Sequence, residues 1–397
     1  MQRPVFVRHR ALCVLLLSIP LLSGCLTDQT TPERTLVDDS GISVDVGDLS
    51  RIVVTSVDLA EVFVLLGHGE RLVGVPGWIA SSSGCVSIVP GGEALPRIGR
   101  PVVIDAEEVV AKDPSLVVDK PFPLAPSDLA PRLRAIGIPT YSIDATESLD
   151  NIRHTLTTVG RILEPVDPDA LAKAEALWHD IKDGIEEVED ALANATVTRP
   201  DTLYQLPAGL VAAGGTSGSL LLRLAGARDL AEGAGLEGYR QLSSEVVAAG
   251  DPERLVVSCT AGTPSILGSP RFSGTTAARW GPVSVFVADP ATSALVGPRF
   301  HHGVREVAEW LHPAAFGLIT PTVHLAKEER TLSVDAANST ATDPPLRHLL
   351  DPGDGSPPVE SGSGSFSYQY DDRKSYQPVL LLVDSKGRLH VERLVTP

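Results

Sequence analysis

From residue 49 onward, short apolar runs alternate with longer stretches whose apolar residues recur at helical spacing. Arg51-Ile52-Val53-Val54-Thr55 predicts a strand. Leu59, Val62, Phe63, Leu65 and Leu66 then predict a helix with a broad apolar face, and Asp58 followed by Glu61 resembles a capping box at its start. Gly67 and Gly69 end that helix, and Leu72-Val73-Gly74-Val75 makes the next strand. Residues 76–100 have no clear period and are rich in Gly and Pro, which predicts a long loop. After it come a strand at Leu116-Val117-Val118, a helix near 127–136, an extended segment at 137–143 and a helix at 149–163. Strands alternating with helices predict a parallel sheet whose carboxyl-end loops face a ligand.

Part of this pattern occurs twice. Glu107 stands before Val109-Val110-Ala111-Lys112-Asp113-Pro114 and the apolar run at 116–118. Glu245 stands before Val246-Val247-Ala248-Ala249-Gly250-Asp251-Pro252 and the run Leu255-Val256-Val257. Each copy predicts a short helix starting at the Glu, stopped near the Pro and followed by a buried strand. The repeat implies two similar lobes with a cleft between them.

Between the copies, Asp169 to about Ala195 holds one Gly and no Pro. At 1.5 Å per residue this predicts a rod of roughly 40 Å that joins the lobes. The second lobe opens with a strand at Thr202-Leu203-Tyr204. It continues with a loop at Gly214-Gly215-Thr216-Ser217-Gly218, a helix at 219–225, the second repeat copy and a loop from 258 to 281. A strand at 283–287 and a helix at about 303–311 close it. Residues 314–397 differ in character. Pro- and Gly-rich segments between 344 and 364 predict a flexible linker, and the runs 379–383 and 388–392 around Asp384-Ser385-Lys386-Gly387 predict a β-hairpin. The predicted fold class is α/β: two Rossmann-like lobes joined by a single long helix, with a C-terminal hairpin-containing extension.

The first residues change the setting. Arg3, Arg8 and Arg10 precede an apolar run from Ala11 to Leu22, too short to span a bilayer comfortably but suited to a signal-peptide core. Leu22-Ser23-Gly24-Cys25 resembles a lipobox, which would leave Cys25 as a lipidated first residue. The divisions are therefore a leader over 1–24, a polar tether over 25–48, a first lobe over 49–165, the joining helix over 166–197, a second lobe over 198–313 and the extension over 314–397. The net charge is −17, and without the leader 30 basic residues face 50 acidic ones. That balance argues against nucleic acid as a partner. Of four cysteines, Cys85 and Cys259 belong to the mature fold, and no CxxC or metal-finger spacing exists.

The residues also resemble a known family: the metal-chelate substrate-binding proteins of ABC importers, which deliver cobalamin, ferric siderophores and heme. Leu95-Pro96-Arg97-Ile98-Gly99 and Gly137-Ile138-Pro139 are similar to its first-lobe motifs. The hemin-binding subgroup is matched by Leu224-Ala225-Gly226-Ala227-Arg228, by Glu237-Gly238-Tyr239-Arg240-Gln241-Leu242-Ser243-Ser244-Glu245 and by Gly297-Pro298-Arg299. The likeness covers roughly residues 50–313. It implies a lipid-anchored receptor on the outer face of the cytoplasmic membrane or in the periplasm. Its role would be to capture heme as cargo rather than cofactor and pass it to membrane permease subunits. Glu107 and Glu245 match the two glutamates that dock onto the transporter.

For the cleft, Trp78 and Trp280 offer indole surfaces to a flat tetrapyrrole. Arg299 offers a fork for a propionate or phosphate, with Arg271, Arg97 and Arg100 as weaker candidates of the same kind. Many hemin-binding relatives carry a Tyr in the first-lobe loop; residues 76–94 hold neither Tyr nor His but do hold Cys85. Cys85 or His301 is then the candidate iron ligand. A Cys85–Cys259 disulfide is an alternative use of the same thiols. Scattered His residues argue against a bare metal ion. A ferric siderophore or cobalamin is the competing cargo. A periplasmic redox or hydrolytic enzyme is the distant alternative, since no GxSxG, P-loop or HExxH is present.

Overall fold

The computed structural model describes residues 34–395, apart from 78–91, 100–103, 122–127, 207–208, 259–265, 290–291, 293–296 and 373. The first lobe is a five-stranded parallel sheet of order β5-β4-β3-β6-β7. Its strands are β3 (Ile52–Val54), β4 (Leu72–Pro76), β5 (Arg97–Ile98), β6 (Leu116–Asp119) and β7 (Thr140–Ser142). Helices α1 (Val57–Leu65), α2 (Ala106–Val110), α3 (Leu129–Ala135) and α4 (Leu149–Leu163) connect and flank them. Val53, Val117 and Val118 are fully buried because both faces of the sheet are covered, which explains apolar runs without alternation.

The second lobe has the order β11-β9-β8-β12-β13, with β10 beside β8. Its strands are β8 (Asp201–Gln205), β9 (Leu210–Ala212), β10 (Arg228–Asp229), β11 (Tyr239–Gln241), β12 (Arg254–Ser258) and β13 (Val285–Ala288). β8, β12 and β13 run parallel, while β9 and β11 are antiparallel neighbours. Its helices are α6 (Ser217–Leu224), α7 (Leu230–Gly233), α8 (Ser244–Gly250), α9 (Thr276–Trp280) and α10 (Phe300–Leu311). The glycine-rich segment before α6 is a turn with a cap: Thr216 Oγ1 accepts from Ser219 N at 3.2 Å. A Cβ at Gly218 would lie 2.6 Å from the Ala212 Cβ, so this helix sits against its strands only as glycine.

Helix α5 (Ala170–Asn194) is the predicted rod. Its buried stripe of Ala170, Ala174, Ile181, Ile185, Val188 and Leu192 packs on α4 in the first lobe and on α6 and α10 in the second. One apolar core therefore runs through both lobes.

Two regions differ from the sequence reading. Residues 34–48 are not tether. β1 (Thr35–Val37) and β2 (Ser43–Asp45) form an antiparallel hairpin docked on the first lobe. Asp38, 4% exposed, accepts from the Arg134 guanidinium and from Ser142 N at 3.1 Å, while Val44, Val46 and Leu49 enter the core. The extension is more than a hairpin behind a flexible linker. It is a two-layered β unit with sheets β15-β16-β20 and β19-β18-β21-β22 and a small β14-β17 pair. These strands are β14 (Ile319–Thr320), β15 (His324–Glu328), β16 (Thr331–Asp335), β17 (Thr340–Ala341), β18 (Arg347–Asp351), β19 (Val359–Ser361), β20 (Ser365–Gln369), β21 (Val379–Val383) and β22 (Leu389–Arg393). Leu380 and Leu382 of β21 face the core of this unit. Val379, Leu381 and Val383 face Trp280 and Val283 of the second lobe. The five-residue apolar run is thus buried on both faces, and the predicted hairpin is its β21–β22 pair.

Candidate functional site

Where the two lobes meet, several side chains are polar yet buried. In the first lobe, Thr55 follows β3 and donates to Asp119 Oδ1 at 2.8 Å. Lys120, 8% exposed, follows β6; its Nζ donates to Asp58 Oδ2 at 2.7 Å and to Thr155 Oγ1 at 3.2 Å. Burial holds Asp119 above the usual carboxylate range, against the lowering effect of Thr55.

Asp58 and Glu61 do not form the capping box suggested by their spacing. Ser56 is the N-cap of α1, and residues 57–63 are all buried, so both acids turn inward. Glu61, 2% exposed, accepts from Nε of Arg299 in the second lobe. Burial lifts the Glu61 carboxyl to about 7, although Arg299 pulls the other way. A second bridge crosses nearby. Glu147, beyond β7, accepts from Ser217 N at 2.7 Å and from the Tyr239 hydroxyl at 2.8 Å. Burial raises both partners, and the Glu147 charge raises Tyr239 further. Gly297 closes the contact, its position standing directly over Asp58.

These bridges redefine some of the expected site residues. Arg299 is at the lobe junction, engaged by Glu61, with Nη2 buried and without a partner among the described residues. Arg271 lies beside the carboxyl end of β8. Its Nη1 donates to Gly209 O at 2.6 Å, while Nε and Nη2 are buried and find no partner among the described residues. Burial lowers its pKa with no carboxylate to offset that. Arg271 therefore keeps two buried N–H groups without a partner among the described residues, near the carboxyl end of β8.

Trp280 is elsewhere. It ends α9 at the amino edge of the second sheet, 4% exposed, and its Nε1 donates to Asp351 Oδ2 of the extension at 2.6 Å. A helix leading into a parallel strand ends at that strand's amino end, so this indole cannot line the cleft. His301 is also turned away. Its ring is buried against Gly184 of α5, with burial, and then His302, lowering its pKa to about 4. A ring seated on the joining helix is not presented to iron in the cleft. Trp78, Cys85, Cys259, Arg100 and Cys25 lie outside the described residues. Arg97 is exposed on β5. Among the described residues no group of three or more His, Cys, Asp or Glu side chains is arranged to hold a metal ion.

The two repeat glutamates are exposed, each in the first turn of a short helix that leads to a central strand: Glu107 on α2 before β6, and Glu245 on α8 before β12. Asp105 caps α2 through Glu107 N, and Ser243 caps α8 through Val246 N. Asp113 and Asp251, each before a proline, both adopt left-handed φ, 49° and 42°. The repeat is thus one structural unit placed equivalently in each lobe.

A family model described as periplasmic binding protein matches residues 52–289. The chain belongs to that family. As such it is a solute-binding protein with an extracytoplasmic place of work. A periplasmic heme-binding protein from Pseudomonas aeruginosa is 26% identical, with a TM-score of 0.56 over 67% of this chain and 93% of that one. The heme-binding protein RhuT from Roseiflexus sp. RS-1 in apo form shares the fold at 24% identity and a TM-score of 0.57, over 68% of this chain and all of that one. A cobalamin-binding protein of Halobacterium salinarum is 26% identical over 245 residues. That match covers 60% of each protein, so the chain spans less than two thirds of this relative's length. The extension after α10 lies beyond the family match.

The sequence reading missed the bridge roles of Glu61 and Glu147 and the buried Lys120–Asp58 pair of the first lobe. Lys120 had a usable signal: a charged residue directly after the buried run Leu116–Asp119, at a strand's carboxyl end. Glu147 had none, because only the fold brings it to Tyr239.

Proposed function

We propose that this protein is a lipid-anchored receptor that captures heme in the cleft between its lobes and delivers it to an ABC importer. The observation that carries the reading is family membership together with a 26%-identical solved relative named for heme binding. It is supported by a half-buried Arg271 beside β8 whose Nε and Nη2 have no partner among the described residues. A propionate is a planar oxyanion that such a guanidinium grips with two parallel bonds. Trp78 supplies stacking area and Cys85 the axial atom on the first-lobe side. Cys25 carries the anchor that keeps the receptor beside its permease.

Glu107 and Glu245 dock the loaded receptor. One exposed carboxylate per lobe, at equivalent helix starts, reads whether both lobes are correctly placed. Uptake assays in a heme-dependent host test this. Glu107→Ala and Glu245→Ala should each lower uptake at least severalfold and leave hemin affinity in solution unchanged. Full uptake by the double variant contradicts the docking role.

The Halobacterium salinarum relative favours cobalamin as a second reading. Competition separates the two: under the heme reading, excess cyanocobalamin leaves hemin binding untouched.

A further inference from the structure

At the amino edge of the second sheet, opposite the cleft, a cavity of about 390 Å3 lies between the end of α5, the end of α10 and β22 of the extension. Its wall contains Arg254, the first residue of β12 and the largest fully buried side chain among the described residues. The guanidinium lies 4.9 Å from the Trp280 ring centroid and 5.8 Å from that of Trp310. Nη1 donates to Glu253 O at 3.1 Å and Nε has no hydrogen-bond partner among the described residues; the Glu253 carboxylate, which Arg393 holds, acts on the guanidinium through its field. Burial brings its pKa down only to about 10, so it stays cationic at neutral pH.

The nearby acids are already engaged. Glu253 is held by Arg393, and Glu392 Oε2 lies 3.2 Å from His390 Nε2. His312, whose Nε2 lies 3.1 Å from Gly226 O, also lines the space. Burial lowers its pKa to about 4, and the positive field of Arg254, Arg199 and His390 adds to the shift. The two cation–π contacts offset only part of the cost of stripping a guanidinium of water. A buried donor without a partner is an exception that calls for one, and Nε, closed to solvent in this structure, is reached from the cavity only when the wall between them shifts.

We propose that this cavity binds a small oxyanion, a carboxylate or phosphate, which completes the partners of Arg254 and fastens the extension to the second lobe. The fork of Arg254 suits such a group, and the volume admits one. The site is separate from the cleft and independent of its cargo.

Thermal melts of the mature chain test it, with inorganic phosphate or succinate titrated at constant ionic strength and binding confirmed by calorimetry. At least one should bind at a single site and raise the Tm by roughly 2–5 °C near saturation. The effective ion assigns the class, and a response to both assigns small oxyanions generally. Arg254→Met should abolish the response. Because that variant removes a buried side chain and can fail to fold, Ala314→Phe is the second arm: it fills the cavity wall without touching Arg254. It should lose oxyanion binding and retain hemin binding. Wild-type protein that binds neither ion, or Ala314→Phe protein with the full response, overturns the proposal.

Discussion

Glu61 joins the lobes and also titrates near neutrality. Its pKa rises from an ordinary 4.5 to about 7 through burial, so the folded chain keeps a proton that the unfolded chain releases. This contribution to stability is complete below about pH 4.5 and is lost as pH rises through 7. Glu61→Gln cannot release a proton, so its stability should decline less between pH 5 and 7.5. The difference is bounded at about 3 kcal/mol by the size of the shift. Denaturant unfolding of both proteins at the two pH values measures it, and equal slopes would remove Glu61 from the account. At the cleft, Arg271→Ala should weaken hemin binding roughly tenfold or more, the worth of a charge-assisted hydrogen bond. Unchanged affinity would place the carboxylates of the ligand elsewhere. Little of this was legible in the residues alone. Arg271 and Arg299 were visible as candidate forks, but Arg299 is claimed by an acid 238 positions away. Asp58 and Glu61 have cap spacing and lose that role because their helix is buried on every side.

Elements were easier to read than contacts. The helices at 149–163 and 170–194 follow from period and length, and the Glu-to-Asp-Pro repeat emerges as the same unit twice. Local pattern fixes an element when its own turns and caps decide it. Trp280 and His301 show the limit: Trp280, expected in the loop over 258–281, ends a short helix, His301 falls inside a last helix that starts earlier than expected, and the topology turns both side chains from the cleft. Gly184 gives a test at this scale. In a free helix, Ala would gain about 1 kcal/mol over Gly. Here a Cβ would lie 2.7 Å from the His301 ring, and overpacking costs about 1–3 kcal/mol. Gly184→Ala should therefore be neutral or lower stability by up to ~2 kcal/mol, as read by chemical denaturation. A gain would mean that α5 and α10 are not closely packed.

At the scale of the molecule, two lobes share one core along a continuous helix and are bridged twice by buried polar pairs. Such a hinge favours small motions about a preformed cleft over wide opening. The extension is docked by Trp280, by the Arg279–Asp351 pair at 3.0 Å and by Arg393–Glu253. The apolar run at 379–383 was legible, but its second buried face was not, because that face belongs to residues a hundred positions earlier. The central claim is that the cleft takes heme. Its most direct test is an absorbance titration of the chain without residues 1–25, which leaves out the lipidated cysteine, with hemin. The account predicts a saturable Soret shift at one equivalent, displaced further in Cys85→Ser if the thiolate ligates iron. A spectrum identical to that of free hemin at every ratio would contradict it.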